Sequence, residues 1–167
     1  MKKLTSRTVL IVDADADDGF HMMAAVKRAG LGLSAQSVAG EEEAIAYLHG
    51  DGIYAERLIF PYPSLLVIQL IQPEMPRGHG FSVLLHLRQN PPSQFLPVLM
   101  LSNSDDPGHM RTAYRLGATS YCIKPRKCAG ILPILLQLSH PTLPNGSDHR
   151  SAISENRNKP CANKLTG

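Results

Sequence analysis

The chain has 167 residues, 43% of them hydrophobic and 19% charged, with a formal net charge of +3. That length suits one domain with a short appendage, and the scattered lysines and arginines lack the density of a nucleic-acid patch. Three cysteines, Cys122, Cys128 and Cys161, match no zinc spacing. An odd count with no signal sequence points to reduced thiols and a cytoplasmic location, and no apolar run reaches the roughly 18 residues of a membrane span.

The β-branched run Thr8–Val12 (TVLIV) reads as a first strand. Asp13, Asp15, Asp17 and Asp18 crowd the positions after it. A first helix is expected from about Asp17 to Ala29, with Phe20, Met23, Ala24 and Lys27 at helical spacing and Gly30 as its stop. Leu33–Val38 is a weaker second strand. The second helix covers EEEAIAYLH, with Glu41, Glu42 and Glu43 at the positive end of its dipole and Gly50 after it. Residues 51–63 form a long connection. Ser64–Leu70 is the third strand, and a loop rich in proline and glycine (QPEMPRGHG) follows it. The third helix runs from about Gly80 to Gln89, closed by Pro91 and Pro92. Pro97–Leu101 is the fourth strand, and Asp105–Leu116 the fourth helix, ended by Gly117. Ala118–Ile123 is the fifth strand, with Cys122 read as a small core residue. Cys128–Leu138 is the fifth helix.

Five strand–helix repeats predict an α/β domain with a parallel sheet covered on both faces. The apolar load of the first, third and fourth strands places them at its centre. Residues 1–6 form an N-terminal extension and 7–139 the domain. From about residue 140 the composition turns to Asn, Ser and Pro, with too little apolar surface to offset the entropy of ordering, so 140–167 is read as a disordered tail.

Asp13, Gln69, Ser102 and Lys124 stand at the ends of the first, third, fourth and fifth strands, at intervals of 56, 33 and 22 residues. With VLIVDAD, PSLLVIQLIQPEMPRGHG, LPVLMLSNS and GATSYCIKP around them, the chain resembles the receiver domain of two-component response regulators. The long connection after the second helix is similar to the single-domain group found with bacterial phytochromes. The resemblance implies a flavodoxin-like, doubly wound (βα)5 fold with strand order 2-1-3-4-5. It also implies a non-enzymatic role in phosphorelay signalling, with a sensor histidine kinase or a downstream signalling protein as partner.

In such receivers an acidic pair ends the first strand and holds Mg²⁺. An Asp ending the third strand accepts the phosphoryl group, a Ser or Thr hydrogen-bonds it and a Lys neutralises it. Carried over, Asp13 is the first acid, Ser102 the hydroxyl, Lys124 the lysine and Tyr121 the switching aromatic. The second acid falls on Ala14 and the acceptor on Gln69. Both departures remove chemistry. An amide oxygen is a poor nucleophile where a carboxylate is required, and Ala14 offers a hard cation no oxygen. Asp15 could assist Asp13, but acids at 15, 17 and 18 are read first as the N-terminal acids of a helix. The expectation is a pseudo-receiver with weak or absent Mg²⁺ binding and no cofactor.

Lys124 is then expected to pair with Asp13, with Gln69 and Ser102 completing a hydrogen-bonded set. The resemblance further implies a cis Lys124–Pro125 peptide. It also implies a partner or homodimer face on helix four, strand five and helix five, marked by Tyr121 and Arg115. Two other readings stand beside this one: a conventional phosphorylated regulator, and an unrelated flavodoxin-like ligand-binding protein. Glu74, five residues past Gln69, is the alternative acceptor, and His79 has no assigned role.

Overall fold

A computed structural model describes residues 7–70 and 80–139, apart from the side chains of Cys128, Ala129 and Ser139. Its strands are β1 (Arg7–Val12), β2 (Leu33–Val38), β3 (Leu65–Leu70), β4 (Val98–Ser102) and β5 (Ser120–Ile123). Its helices are α1 (Ala16–Ala29), α2 (Glu41–His49), α3 (Phe81–Gln89), α4 (Pro107–Arg115) and α5 (Leu132–Ser139). All strands pair in parallel, in the order β2-β1-β3-β4-β5. The most apolar strands, β1, β3 and β4, are therefore the interior three, as their composition predicts.

Side chains alternate across a strand, and this alternation builds two cores. Val9, Ile11, Leu65, Val67, Leu99, Leu101 and Cys122 pack against Met22 and Val26 of α1 and Leu135 of α5. Leu10, Val12, Leu66, Ile68, Val98, Met100 and Tyr121 pack against residues of α2, α3 and α4. Each interior strand is thus buried on both sides, which is why these strands read as continuous apolar runs.

Local chemistry sets the helix ends. Asp15 caps α1 by accepting from the N–H groups of Asp17 and Asp18, and Gly30 closes the helix in the left-handed region at φ 63°. Asp106 caps α4, so that helix starts at Pro107, two residues later than the sequence suggests; proline suits a first helical position, where no N–H bond is lost. The last helix is preceded by a 3₁₀ turn over Cys128–Ile131.

The 51–63 connection is organised by Arg57. Its guanidinium donates to the carbonyls of Tyr47, Leu48 and Phe60, and Tyr47, Tyr54 and Phe60 pack ring against ring beside it. A 3₁₀ turn over Gly52–Ala55 lies within it. Arg88 has a matching role on α3. It donates to the carbonyls of Gly117, Ser93, Gln94 and Leu96, tying α3 to the turns on either side of β4.

Two expectations are corrected. Cys122, read as a reduced core thiol, is buried and disulfide-bonded. Lys124–Pro125 is trans; the cis bond among the described residues is Pro91–Pro92. The tail from 140, the first six residues, and Glu74 and His79 in the 71–79 segment lie outside the described residues.

Candidate functional site

The strand alternation that builds the two cores also sorts the side chains at the carboxyl ends of the strands. Position 13 continues the series Val9, Ile11, and position 69 the series Leu65, Val67. Position 124 follows Cys122 by two residues. All three belong to the face covered by α1 and α5. Ser102 and Tyr121 fall on the opposite parity, toward α4.

On the α1 side, Lys124 Nζ donates to Gln69 Oε1 at 2.9 Å and to Asp18 Oδ2, with which it forms an ion pair. Asp18 replaces Asp13 as the expected partner of Lys124. The reason lies in helix geometry. Asp18 is in the first turn of α1, four residues before the buried Met22, so it shares that helix's inward face and reaches β5. This periodicity is the signal in the sequence that could have identified Asp18.

Asp13 is 2% exposed. Its Oδ1 accepts the Asp15 N–H at 2.9 Å, while Oδ2 is buried without a hydrogen-bond partner. Burial raises its pKa above the ordinary 3.8; the Asp15 N–H and Lys124 oppose this, and Asp18 and Asp15 add to it. An unpaired, buried carboxylate oxygen is uncommon in a folded protein.

On the α4 side, Ser102 is fully buried and its Oγ accepts the Ser104 N–H at 3.1 Å, while Lys124 Nζ donates to Gln69 and Asp18 instead. Lys124 meets Ser102 through the backbone, N–H to carbonyl at 2.8 Å. Tyr121 is 1% exposed and belongs to the core rather than the surface. Its hydroxyl donates to the Ser104 carbonyl at 2.9 Å, and its N–H donates to the Tyr114 hydroxyl at 3.1 Å. Burial raises the phenol's pKa, an effect the neighbouring Ser102 hydroxyl opposes. Ser104 Oγ lies 2.8 Å from His109 Nδ1. The β4–α4 loop is thereby held from both ends. Of the two residues assigned to a partner face, Arg115 is exposed and Tyr121 is not.

Ala14 is exposed and lines a cleft of about 430 Å³ with Val12, Gly40, Gln69, Gly80 and Val83. The cleft sits where the chain order reverses between β1 and β3, the usual ligand position in open α/β sheets. Its donor set offers a hard cation little. Ala14 has no side-chain oxygen, and Gln69 Oε1 already accepts from Lys124. Of Glu41, Glu42 and Glu43, which also line the cleft, Glu41 accepts from the Ser82 hydroxyl and Glu43 from the Ala39 N–H and the Tyr54 hydroxyl. Among the described residues, no group of three His, Cys, Asp or Glu is placed to hold a metal ion, and no helix is long and apolar enough to cross a membrane.

No family model matches the chain. A probable cyclic di-GMP phosphodiesterase of Vibrio cholerae is 26% identical over 157 residues, 93% of this chain and 31% of that protein. The response regulator Rcp1 of Synechocystis is 30% identical over 83 residues, 50% of this chain and 52% of that protein. The chain thus matches only 31% and 52% of the lengths of these relatives. Among solved structures, the response regulator RPA3017 in red light signalling of R. palustris is 28% identical. The match covers 84% of this chain and 96% of that one, with a TM-score of 0.67. The phosphorylated cyanobacterial phytochrome response regulator RcpA is 23% identical, covering 81% and 89%, with a TM-score of 0.62.

Proposed function

We propose that the chain is a response-regulator receiver domain that signals by protein–protein contact without aspartyl phosphorylation. One observation carries this reading: the Lys124 ammonium donates to the neutral amide oxygen of Gln69 and is balanced by Asp18. In a phosphorylated receiver the equivalent lysine awaits an acyl phosphate. Here the acceptor position has no carboxylate to form one.

The charge arrangement supports the same reading. A receiver with clustered carboxylates needs a cation to hold them together. In this chain Ala14 and Gln69 have removed two negative charges, and Asp18 supplies one from α1 opposite the lysine. With Lys124 paired to Asp18, Asp13 is left as the unpaired carboxylate of the strand-end site, fewer acids than the cluster that magnesium holds together.

The likeness to RPA3017, RcpA and Rcp1 favours the phytochrome-associated, single-domain kind, acting non-enzymatically in the cytoplasm beside a sensor histidine kinase or a downstream signalling protein. The face of α4, β5 and α5 is the surface for that partner or for a second copy. Arg111 and Arg115 are exposed on α4. Tyr121 serves from beneath that face by fixing the β4–α4 loop.

The test is intact-mass spectrometry after incubation with acetyl phosphate and Mg²⁺. The expected mass is unchanged, and a stoichiometric gain of one phosphoryl group would overturn the reading in favour of a conventional regulator. The double variant Gln69→Asp with Ala14→Asp restores both acids. It is expected to take up one phosphoryl group in a Mg²⁺-dependent manner, and peptide mapping should place the group on the carboxylate introduced in place of Gln69.

A further inference from the structure

A second cleft lies between α1 and the junction of β2 with α2, with a volume of about 300 Å³. Asp13, Phe20, Met23, Gln36, Ser37 and Glu43 contribute to its lining. Gln69 and Lys124 are not among them, and Asp13 is the residue this cleft shares with the strand-end site. Gly19 brings α1 close to β2 beside this cleft. A Cβ there would collide with Ser37 Oγ, so glycine lets α1 settle against β2 beside Asp13.

Its chemistry is two-sided. Phe20 is 63% exposed and Met23 half-buried, giving an apolar wall open to solvent. The opposing groups are acidic. Asp13 is 2% exposed with Oδ2 unpartnered. Glu43 accepts from the Ala39 N–H at 2.6 Å and from the Tyr54 hydroxyl at 2.5 Å, both neutral donors. Neither acid forms an ion pair among the described residues, and Lys124 is engaged by Asp18 and Gln69.

We infer that this cleft binds a small organic cation, an ammonium or guanidinium carried on an apolar body. The cation would meet the free Asp13 oxygen and the Glu43 charge, and the body would lie on Phe20 and Met23. Few convergent polar groups on an apolar wall is the usual make-up of a small-molecule site, and an aromatic face adds attraction for a cation. An anion would be repelled by both carboxylates. A hard metal ion would find one free carboxylate oxygen and no further set of ligands among the described residues.

The experiment is an NMR titration of the full chain with benzylamine, charged at neutral pH, and with the neutral benzyl alcohol. Benzylamine is expected to give saturable shifts at the Met23 methyl and the Ser37 and Val38 amides, with the alcohol about tenfold weaker or more. Asp13→Asn should weaken amine binding about tenfold and leave the alcohol unaffected. Phe20→Ala, at an exposed position that folding does not need, should weaken the amine about threefold to fivefold. Three results would overturn the inference: no saturable shift at tens of millimolar amine, equal binding of amine and alcohol, or amine binding unchanged in Asp13→Asn.

Discussion

Asp13 is a carboxyl whose charged form the fold disfavours. Its pKa is pushed above 3.8 chiefly by burial, so the folded protein holds that proton more tightly than the unfolded chain does. The contribution to stability is therefore fully present below pH 3.8 and is lost as pH rises through the raised folded value. Asp13→Asn keeps an acceptor for the Asp15 N–H and removes the buried charge. At neutral pH it should be more stable than wild type by about 1 kcal/mol, or about 3 °C in melting temperature. That advantage should shrink as pH is lowered through the same window. Urea titrations of both proteins across acidic pH would check it, and a less stable variant at pH 7 would show that attraction by Lys124 outweighs burial. At this scale the sequence showed which residues end the strands but not which of them touch. Asp18 had been counted only as a helix-start acid, yet its place one helical turn before Met22 turns it toward Lys124. Tyr121 was assigned to a partner face because β5 is a short edge strand, but it is buried in the core shared with α4, and its N–H donates to the Tyr114 hydroxyl.

Between elements, two arginines act as ties made of backbone contacts. Arg88 is half-buried, and burial lowers its pKa from the ordinary value. Its planar fork reaches four carbonyls, two of its nitrogens meeting the Gly117 carbonyl at 3.0 and 2.8 Å. A lysine has one nitrogen and cannot span that set. Arg88→Lys should therefore destabilise the domain by about 2–3 kcal/mol, since carbonyls that lose a charged donor are left short of partners. A chemical-denaturation midpoint lowered at unchanged slope is the expected readout. Gly117 belongs to the same device: it sits at φ 100°, and a Cβ there would approach Arg88 Nε to 2.8 Å. In the sequence, Arg88 is simply a residue in the last turn of the third predicted helix. Nothing in its spacing announces a contact with a turn 29 residues away. The 51–63 connection was readable as long, but its order depends on Arg57 meeting carbonyls of α2, which is a tertiary fact.

For the whole molecule, the parallel sheet with one core on each face was the most legible part of the sequence. The apolar runs of β1, β3 and β4 require burial on both sides, and the five strand–helix repeats leave few ways to provide it. The order of strands came from the likeness to receivers rather than from periodicity, because alternation says which face a residue takes and not which strand lies beside it. The charge state of the site makes a prediction for the entire fold. Any ligand that binds only the native state raises its stability, by about 2.7 kcal/mol at 100 times the dissociation constant. Millimolar Mg²⁺ should therefore leave the melting temperature of the wild type unchanged. The Gln69→Asp, Ala14→Asp variant should melt lower without the ion and recover several degrees with it. A comparable Mg²⁺ shift in the wild type would mean that Asp13 and the strand ends still form a working metal site.

The hydrogen bond between Lys124 and Gln69 also bears on time. An acyl phosphate is a timer: it is written, it decays, and its lifetime limits how long a message lasts. A receiver with an amide at that position, on the reading proposed above, has nothing to hydrolyse and no lifetime of its own. The strength of its message would follow the number of copies present, and the message would end by dilution, degradation or competition for the partner rather than by chemistry at the site.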